Sequence, residues 1–89
     1  MQEATVTVRH KVGLHARPAA LFVQTAKKFS SEVLCFKDGR EANAKSILGV
    51  LTLGAGQGAV VTIRAEGEDE AEAIAALTQL IEDNFGEQE

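Results

Sequence analysis

A histidine and an arginine stand two positions apart in "GLHARPAA", where a loop is expected to enter a helix. The first amides of a helix, here those of Ala16 and Arg17, have no carbonyl partner within it and can bind an anion. Pro18 fits a first turn, where its missing N–H costs little. A neutral imidazole at His15 is a nucleophile, and the helix dipole and the Arg17 guanidinium disfavour its protonation. The same groups would stabilise a dianion on the ring, so these residue types fit the capture and release of a phosphoryl group.

The motif also fits a purely structural role, in which His15 caps the helix and Arg17 is a surface charge. His10 provides a comparison, because it ends a strand between two cations with no helix start behind it, and we interpret it as an ordinary exposed residue. The glycines of "GAGQG" (54–58) are interpreted as a turn, since no Lys-Ser/Thr pair completes a phosphate-binding loop. No acid cluster stands beside His15 to hold Mg²⁺, so another protein would have to supply the phosphoryl group.

Alternating apolar residues predict four strands. Residues 3–9 and 59–66 each place every second side chain on one face, the period of a half-buried strand. Residues 31–37 and 40–44 flank Asp38-Gly39, a dipeptide that favours a two-residue hairpin turn, and the second of these strands is short and expected at an edge. The positions expected to face inward are Ala4, Val6, Val8, Val61, Ile63 and Ala65.

Helical spacing predicts three helices, from Ala16 to about Phe29, over 45–54 and over 68–85. Ser46 and Gly54 are expected to cap the second helix. The inner stripe of the third helix is expected to contain Ala71, Ile74, Leu77 and Ile81. The order βαββαβα implies an α+β open-faced sandwich, with a four-stranded antiparallel sheet and three helices on one face, forming one domain over residues 1–89.

Charge is distributed unevenly along the 89 residues. Residues 1–65 contain nine Lys or Arg and four acids, whereas 66–89 contain nine acids and no Lys or Arg, and the formal net charge is −4. This balance argues against a nucleic-acid-binding domain and leaves a basic surface for acidic protein partners. The single Cys35 excludes an internal disulfide and fits a buried strand. The absence of a signal-peptide pattern and of a long apolar stretch predicts a cytoplasmic protein without membrane insertion.

Two segments, "GLHARPAA" and "AKSILGVLTLGAGQG" (44–58), together with the order of elements, resemble the histidine-containing phosphocarrier (HPr) family of the bacterial phosphoenolpyruvate-dependent sugar phosphotransferase system. The resemblance implies that His15 is phosphorylated on a ring nitrogen, Nδ1, by phosphorylated enzyme I and passes the group to sugar-specific IIA proteins or domains. It also implies that Arg17 contacts the phosphate, beside the backbone amides of Ala16 and Arg17. Such a carrier has a phosphohistidine intermediate, no independent turnover, no cofactor and no metal.

Ser46 is the second position that the resemblance marks. In many Gram-positive members the matching serine is phosphorylated by an ATP-dependent HPr kinase/phosphorylase, which brings in a catabolite-control transcription factor as a partner. A phosphate there would add negative charge at a helix N-terminus, where it is locally tolerated. A plain N-cap is the alternative interpretation.

The second helix contains more apolar side chains than one core-facing stripe requires, so some must face outward. We expect Ile47, Leu48 and Leu51 to form an exposed docking patch with a basic rim of Lys27 and Lys45, although the three apolar residues could instead cover the end of the sheet. Gln24 and Gly49 stand where some family members have lysine, which leaves partner preference open. The residues expected to contact partners are Ala20, Gln24, Lys27, Lys45, Ile47, Leu48 and Leu51.

Three other functions stay open on the sequence alone. A paralogue serving the nitrogen-related branch of the system would share the fold, although the 47–53 region favours the sugar branch. A regulatory module acting through Ser46 would make His15 secondary. A small metabolite-binding α+β domain would leave "GLHARPAA" without a purpose. As a phosphocarrier, the chain is expected to be a monomer.

Overall fold

The computed structural model describes residues 1–9 and 16–86, with Ala16 described by its backbone alone. The elements are β1 (Gln2–Thr7), α1 (Ala16–Ala26), β2 (Glu32–Lys37), β3 (Arg40–Asn43), α2 (Ile47–Leu53), β4 (Val60–Glu66) and α3 (Glu70–Glu82), with a short 3₁₀ segment at Asn84–Gly86. The predicted βαββαβα order is confirmed.

The sheet has the strand order β1-β4-β2-β3, and every pairing is antiparallel. One row across it joins Ala4 to Ile63, Ile63 to Cys35, and Cys35 to Ala42. The last strand in the chain, β4, therefore lies between β1 and β2, and β3 lies at an edge as predicted. Asp38 and Gly39 join β2 to β3 with φ of 50° and 80°, the positive angles that a tight hairpin turn requires.

The core lies between one face of the sheet and the three helices. Alternate strand residues point into it, as the sequence predicts, because a strand's side chains alternate between its two faces. The helices contribute one stripe each, so that all the buried apolar residues form one cluster. The helix residues in this buried cluster are Ala19, Phe22, Val23, Ala26, Val50, Leu53, Ala73, Leu77 and Ile81.

No helix of residues 1–9 and 16–86 covers the opposite face of the sheet. Arg64 lies at its centre, where its Nε donates to Glu3 Oε2 at 2.9 Å and its guanidinium lies 4.8 Å from the centre of the Phe36 ring. Next to it, the hydroxyl oxygens of Thr5 and Thr62 are 3.1 Å apart. Such cross-strand pairs stabilise a half-exposed sheet, which explains the polar residues in the alternating pattern.

Two helix predictions need correction. The first helix ends at Ala26 and the chain continues to Phe29 through tighter turns, with Phe29 N–H donating to the Ala26 carbonyl at 3.2 Å. In the third helix Ala71 is exposed, and the stripe is Ala73, Leu77 and Ile81, with Ile74 only partly buried. Ala71 lies about 200° around the helix from Ala73, because each residue advances 100°.

None of the helices in the described ranges is long and apolar enough to cross a bilayer.

Candidate functional site

The first turn of α1 is the part of the motif that the structure describes. Helix α1 begins at Ala16, the residue that follows His15, and His15 itself lies outside the described residues. Arg17 is exposed in the first turn and Pro18 is buried there. No acidic residue stands in this turn to neutralise the positive end of the helix dipole. The amides of Ala16 and Arg17 therefore have the position that anion binding at a helix start needs, while the role of His15 stays a prediction.

Four of the predicted site residues lie on one face of α1, three within the helix and one directly after it. Arg17, Ala20, Gln24 and Lys27 are spaced by three or four positions, so they share one face of the helix. Arg17, Gln24 and Lys27 are exposed and Ala20 is half-buried. This face is available to solvent from the first turn of α1 to its last.

Helix α2 has the caps that the sequence predicts. Ser46 has extended backbone angles and its Oγ accepts a hydrogen bond from Gly49 N–H at 3.1 Å. Gly54 ends the helix with φ of 69°, a left-handed conformation that favours glycine. The Ser46 hydroxyl oxygen is therefore already used as a helix cap.

The apolar residues of α2 divide between core and solvent. Val50 and Leu53 are buried, whereas Ile47, Leu48 and Leu51 are 44%, 70% and 37% exposed. Leu48 is therefore mostly in solvent, while Ile47 and Leu51 each keep more than half of their surface covered. Helix α1 packs against α2.

Lys45 differs from Lys27 although both were expected at the basic rim. Lys27 is exposed, while Lys45 is half-buried and its Nζ donates to the Phe29 carbonyl at 2.7 Å. The segment before α2 is held by Asn43, whose side-chain oxygen accepts from Lys45 N–H at 2.9 Å and whose carbonyl accepts from Ser46 N–H at 3.0 Å. Asparagine is common in such turns, so the sequence carried a local signal for the role of Asn43 in holding this segment. No local pattern indicates the contact with Phe29, sixteen positions away.

Other reactive groups in the described residues do not form a second site. Burial raises the pKa of the Cys35 thiol to about 11, so it stays protonated and unreactive at neutral pH. Among residues 1–9 and 16–86 no three His, Cys, Asp or Glu side chains group as metal ligands do. An open apolar cleft of about 390 Å³ lies between α1 and α3, and Asp83 is the charged residue in its described lining.

Comparisons with known proteins agree with this geometry. A family model described as "PTS HPr component phosphorylation site" matches residues 2–83. The chain is 52% identical to the HPr-like protein Crh of Halalkalibacterium halodurans, over 92% of this chain and 98% of that protein. It is 51% identical to the phosphocarrier protein HPr of Xylella fastidiosa, with 98% of each chain covered.

HPr of Thermoanaerobacter tengcongensis is similar in two crystal structures. The first, HPr-C-His, has a TM-score of 0.98 at 58% identity and covers both chains completely. The second, an HPr dimer, has a TM-score of 0.79 at 60% identity and covers 98% of this chain and all of that one. The likeness therefore extends over the whole fold and includes the surface formed by α1 and α2.

Proposed function

We propose that this chain, which belongs to the HPr family of phosphocarrier proteins, receives a phosphoryl group on His15 from phosphorylated enzyme I and passes it to sugar-specific IIA proteins or domains. The observation that carries the proposal is the start of α1 at Ala16, directly after His15, with Arg17 exposed in the first turn. The transfer would couple sugar uptake to sugar phosphorylation.

The chemistry follows from this position. As the neutral imidazole attacks phosphorus, an N–P bond forms and the bond from phosphorus to enzyme I breaks, with its electron pair staying on enzyme I. The phosphoryl dianion would lie near the Ala16 and Arg17 amides and the Arg17 guanidinium, which neutralise its charge. At the IIA protein the N–P bond breaks in turn and the imidazole regains its lone pair. Phosphoryl transfer needs mainly positioning and electrostatic stabilisation, so the carrier needs no other acid or base.

We define the docking surface as Ala20, Gln24 and Lys27 from the α1 side together with Ile47, Leu48 and Leu51 from α2. An apolar centre with a polar and basic edge is the usual composition of an interface that forms and separates repeatedly. It fits partners that present an apolar patch edged by carboxylates, and we expect such a patch on both enzyme I and the IIA proteins. The surface adjoins the start of α1, so a docked partner would reach His15.

Labelling tests the proposal. After incubation with phosphoenolpyruvate and enzyme I, intact-mass measurement should show one acid-labile phosphate on the wild-type chain and none on His15→Ala. His10→Ala is the matched control and should be labelled as the wild type is. Labelling of His15→Ala at the wild-type level would reject the proposal.

A regulatory function through Ser46 is the second candidate, and the 52% identity to an HPr-like protein Crh favours it. An HPr kinase/phosphorylase would transfer a phosphoryl group from ATP to the Ser46 hydroxyl, and a catabolite-control transcription factor would recognise the product. Incubation with that kinase and ATP should give an acid-stable phosphate that is absent in Ser46→Ala.

Phosphotransfer rates distinguish the sugar branch from the nitrogen-branch alternative. We expect transfer to a sugar IIA protein to be faster than transfer to a nitrogen IIA protein.

The setting of this activity is also part of the proposal. We place the carrier in the cytoplasm as one domain over residues 1–89, acting as a monomer without cofactor, metal or nucleic acid. Because a related HPr has been crystallised as a dimer, light scattering at working concentration is the direct check of the monomeric state.

A further inference from the structure

Lys45 connects two elements that are separate in the chain. Its ammonium group donates to the Phe29 carbonyl at 2.7 Å, across sixteen positions, and the side chain is half-buried along the way. A lysine that stays in water for a partner keeps its ammonium exposed, as Lys27 does. The Lys45 ammonium is instead used within the molecule.

The Phe29 carbonyl lies just beyond the end of α1, at the negative end of the helix dipole. The turns after Ala26 are held by Lys28 N–H to Thr25 carbonyl and Phe29 N–H to Ala26 carbonyl, at 3.1 and 3.2 Å. The last turn of α1 itself contains no basic residue. Lys27 and Lys28 directly follow the helix, and Lys45 adds from a separate element the cation that donates to the Phe29 carbonyl at this helix end.

The backbone of Lys45 is fixed on the other side by α2. Asn43 accepts from both Lys45 N–H and Ser46 N–H, Ser46 Oγ accepts from Gly49 N–H, and Val50 N–H donates to the Ser46 carbonyl at 3.0 Å. These bonds make a rigid link from the end of β3 to the first turn of α2. The Lys45 side chain then ties that link to α1.

From these contacts the geometry points to Lys45 as a positioning residue, which holds the α1 and α2 halves of the docking surface in register rather than contacting the partner. This inference rests on the proposed function for the use of that surface. If it holds, loss of the ammonium weakens docking without removing a charge that the partner senses.

The test compares Lys45→Met with Lys27→Met in phosphotransfer from phosphorylated enzyme I at several salt concentrations. For Lys45→Met we expect KM to rise about fivefold, because a net loss of one hydrogen bond corresponds to a change of about that size. We expect kcat to be unchanged and the salt dependence of KM to equal that of the wild type. For Lys27→Met we expect a raised KM with a flatter salt dependence, because a contacting charge is removed. Lys45→Arg, whose guanidinium can also donate to a carbonyl, should restore most of the affinity.

Three results would overturn the inference: an unchanged KM in Lys45→Met, a salt dependence flattened as in Lys27→Met, or no recovery in Lys45→Arg. Hydrogen exchange of the free protein keeps the test independent of phosphotransfer. Lys45→Met should exchange faster than the wild type at the amides of Ser46, Gly49 and Val50, and equal exchange would contradict the link. If the wild-type chain accepts no phosphoryl group, the proposed function fails while the exchange experiment still decides the role of Lys45.

Discussion

Ser31 and Gly67 lie in contact where the loop before β2 meets the loop after β4. Ser31 is 2% exposed, and Gly67 has φ of 151°, an angle that favours glycine. A Cβ added to Gly67 would lie 2.6 Å from Ser31 Oγ and 2.8 Å from Ser31 Cα. Backbone atoms cannot move aside as a flexible side chain can, so this contact fixes the residue at 67.

Gly67→Ala should therefore be strongly destabilising. Overpacking and backbone strain together should lower the free energy of unfolding by about 2–4 kcal/mol. Urea unfolding of the variant measures the loss. The matched control is Gly56→Ala, where an added Cβ meets nothing within 4 Å, and it should differ from the wild type by less than about 1 kcal/mol. Equal stability of the two variants would contradict the packing argument.

At the residue scale, sequence alone identified the residues that act locally. The caps Ser46 and Gly54, the Asp38-Gly39 turn and the outward position of Leu48 each follow from neighbours within a few positions. The contact of Lys45 with Phe29 joins residues that local patterns do not relate. The tertiary fold, in which α1 packs against α2, brings those two groups together.

Helix α3 is fastened to the loop before β2 by the residue that precedes it. The Asp69 carboxylate accepts from Ser30 N–H and Ser31 N–H, both at 2.9 Å, and from the Ser31 hydroxyl. It caps no amide of its own helix. These donors, the Ser31 hydroxyl first among them, lower the pKa of Asp69 to about 2 from an ordinary value of 3.8.

The lowered pKa predicts an acid-sensitive contribution to stability. Because the folded chain holds this carboxylate ionised more strongly than the unfolded chain does, the contribution is complete above about pH 4 and is lost as the pH falls toward 2. Urea midpoints from pH 6 to pH 2 should fall more steeply for the wild type than for Asp69→Asn. Ser31→Ala, which removes one donor, should give an intermediate slope. Identical slopes in all three chains would show that the carboxylate does not link the two elements.

The third helix also shows where element prediction fails. Its sequence, "EAEAIAALTQL", has apolar residues on several possible stripes, so helical periodicity alone does not select one. Docking on the sheet selects Ala73, Leu77 and Ile81 and leaves Ala71 exposed. The strands were easier to assign, because a period of two has only two faces to choose from.

Over the whole molecule, positive charge lies in residues 1–65 and negative charge is concentrated in the last part of the chain. Arg17 and Lys27 are exposed on the α1 side, while the 24 residues from Glu66 onward contain nine acids and no Lys or Arg. The net charge of −4 would repel an acidic partner at long range, and the local basic surface would attract it at short range. The asymmetry therefore orients the approach of a partner.

Phosphotransfer from enzyme I should accordingly slow with added salt. We expect kcat/KM to fall by about tenfold as screening removes the short-range attraction. Stopped-flow or quench measurements between low and high NaCl concentrations provide the check. Glu72→Gln, an exposed change on α3, should keep the wild-type salt dependence. A rate that rises with salt would mean that overall repulsion governs the encounter.

The central place of β4 determines when the molecule can be built during translation. Both β1 and β2 pair with β4. Until Glu66, the last residue of β4, has left the ribosome, β1 therefore lacks its complete partner strand. Folding therefore waits for β4 and is dominated by pairings distant in sequence, which makes it slower than the folding of a helical bundle. The N-terminal strand, although made first, therefore stays unpaired until β4 is available.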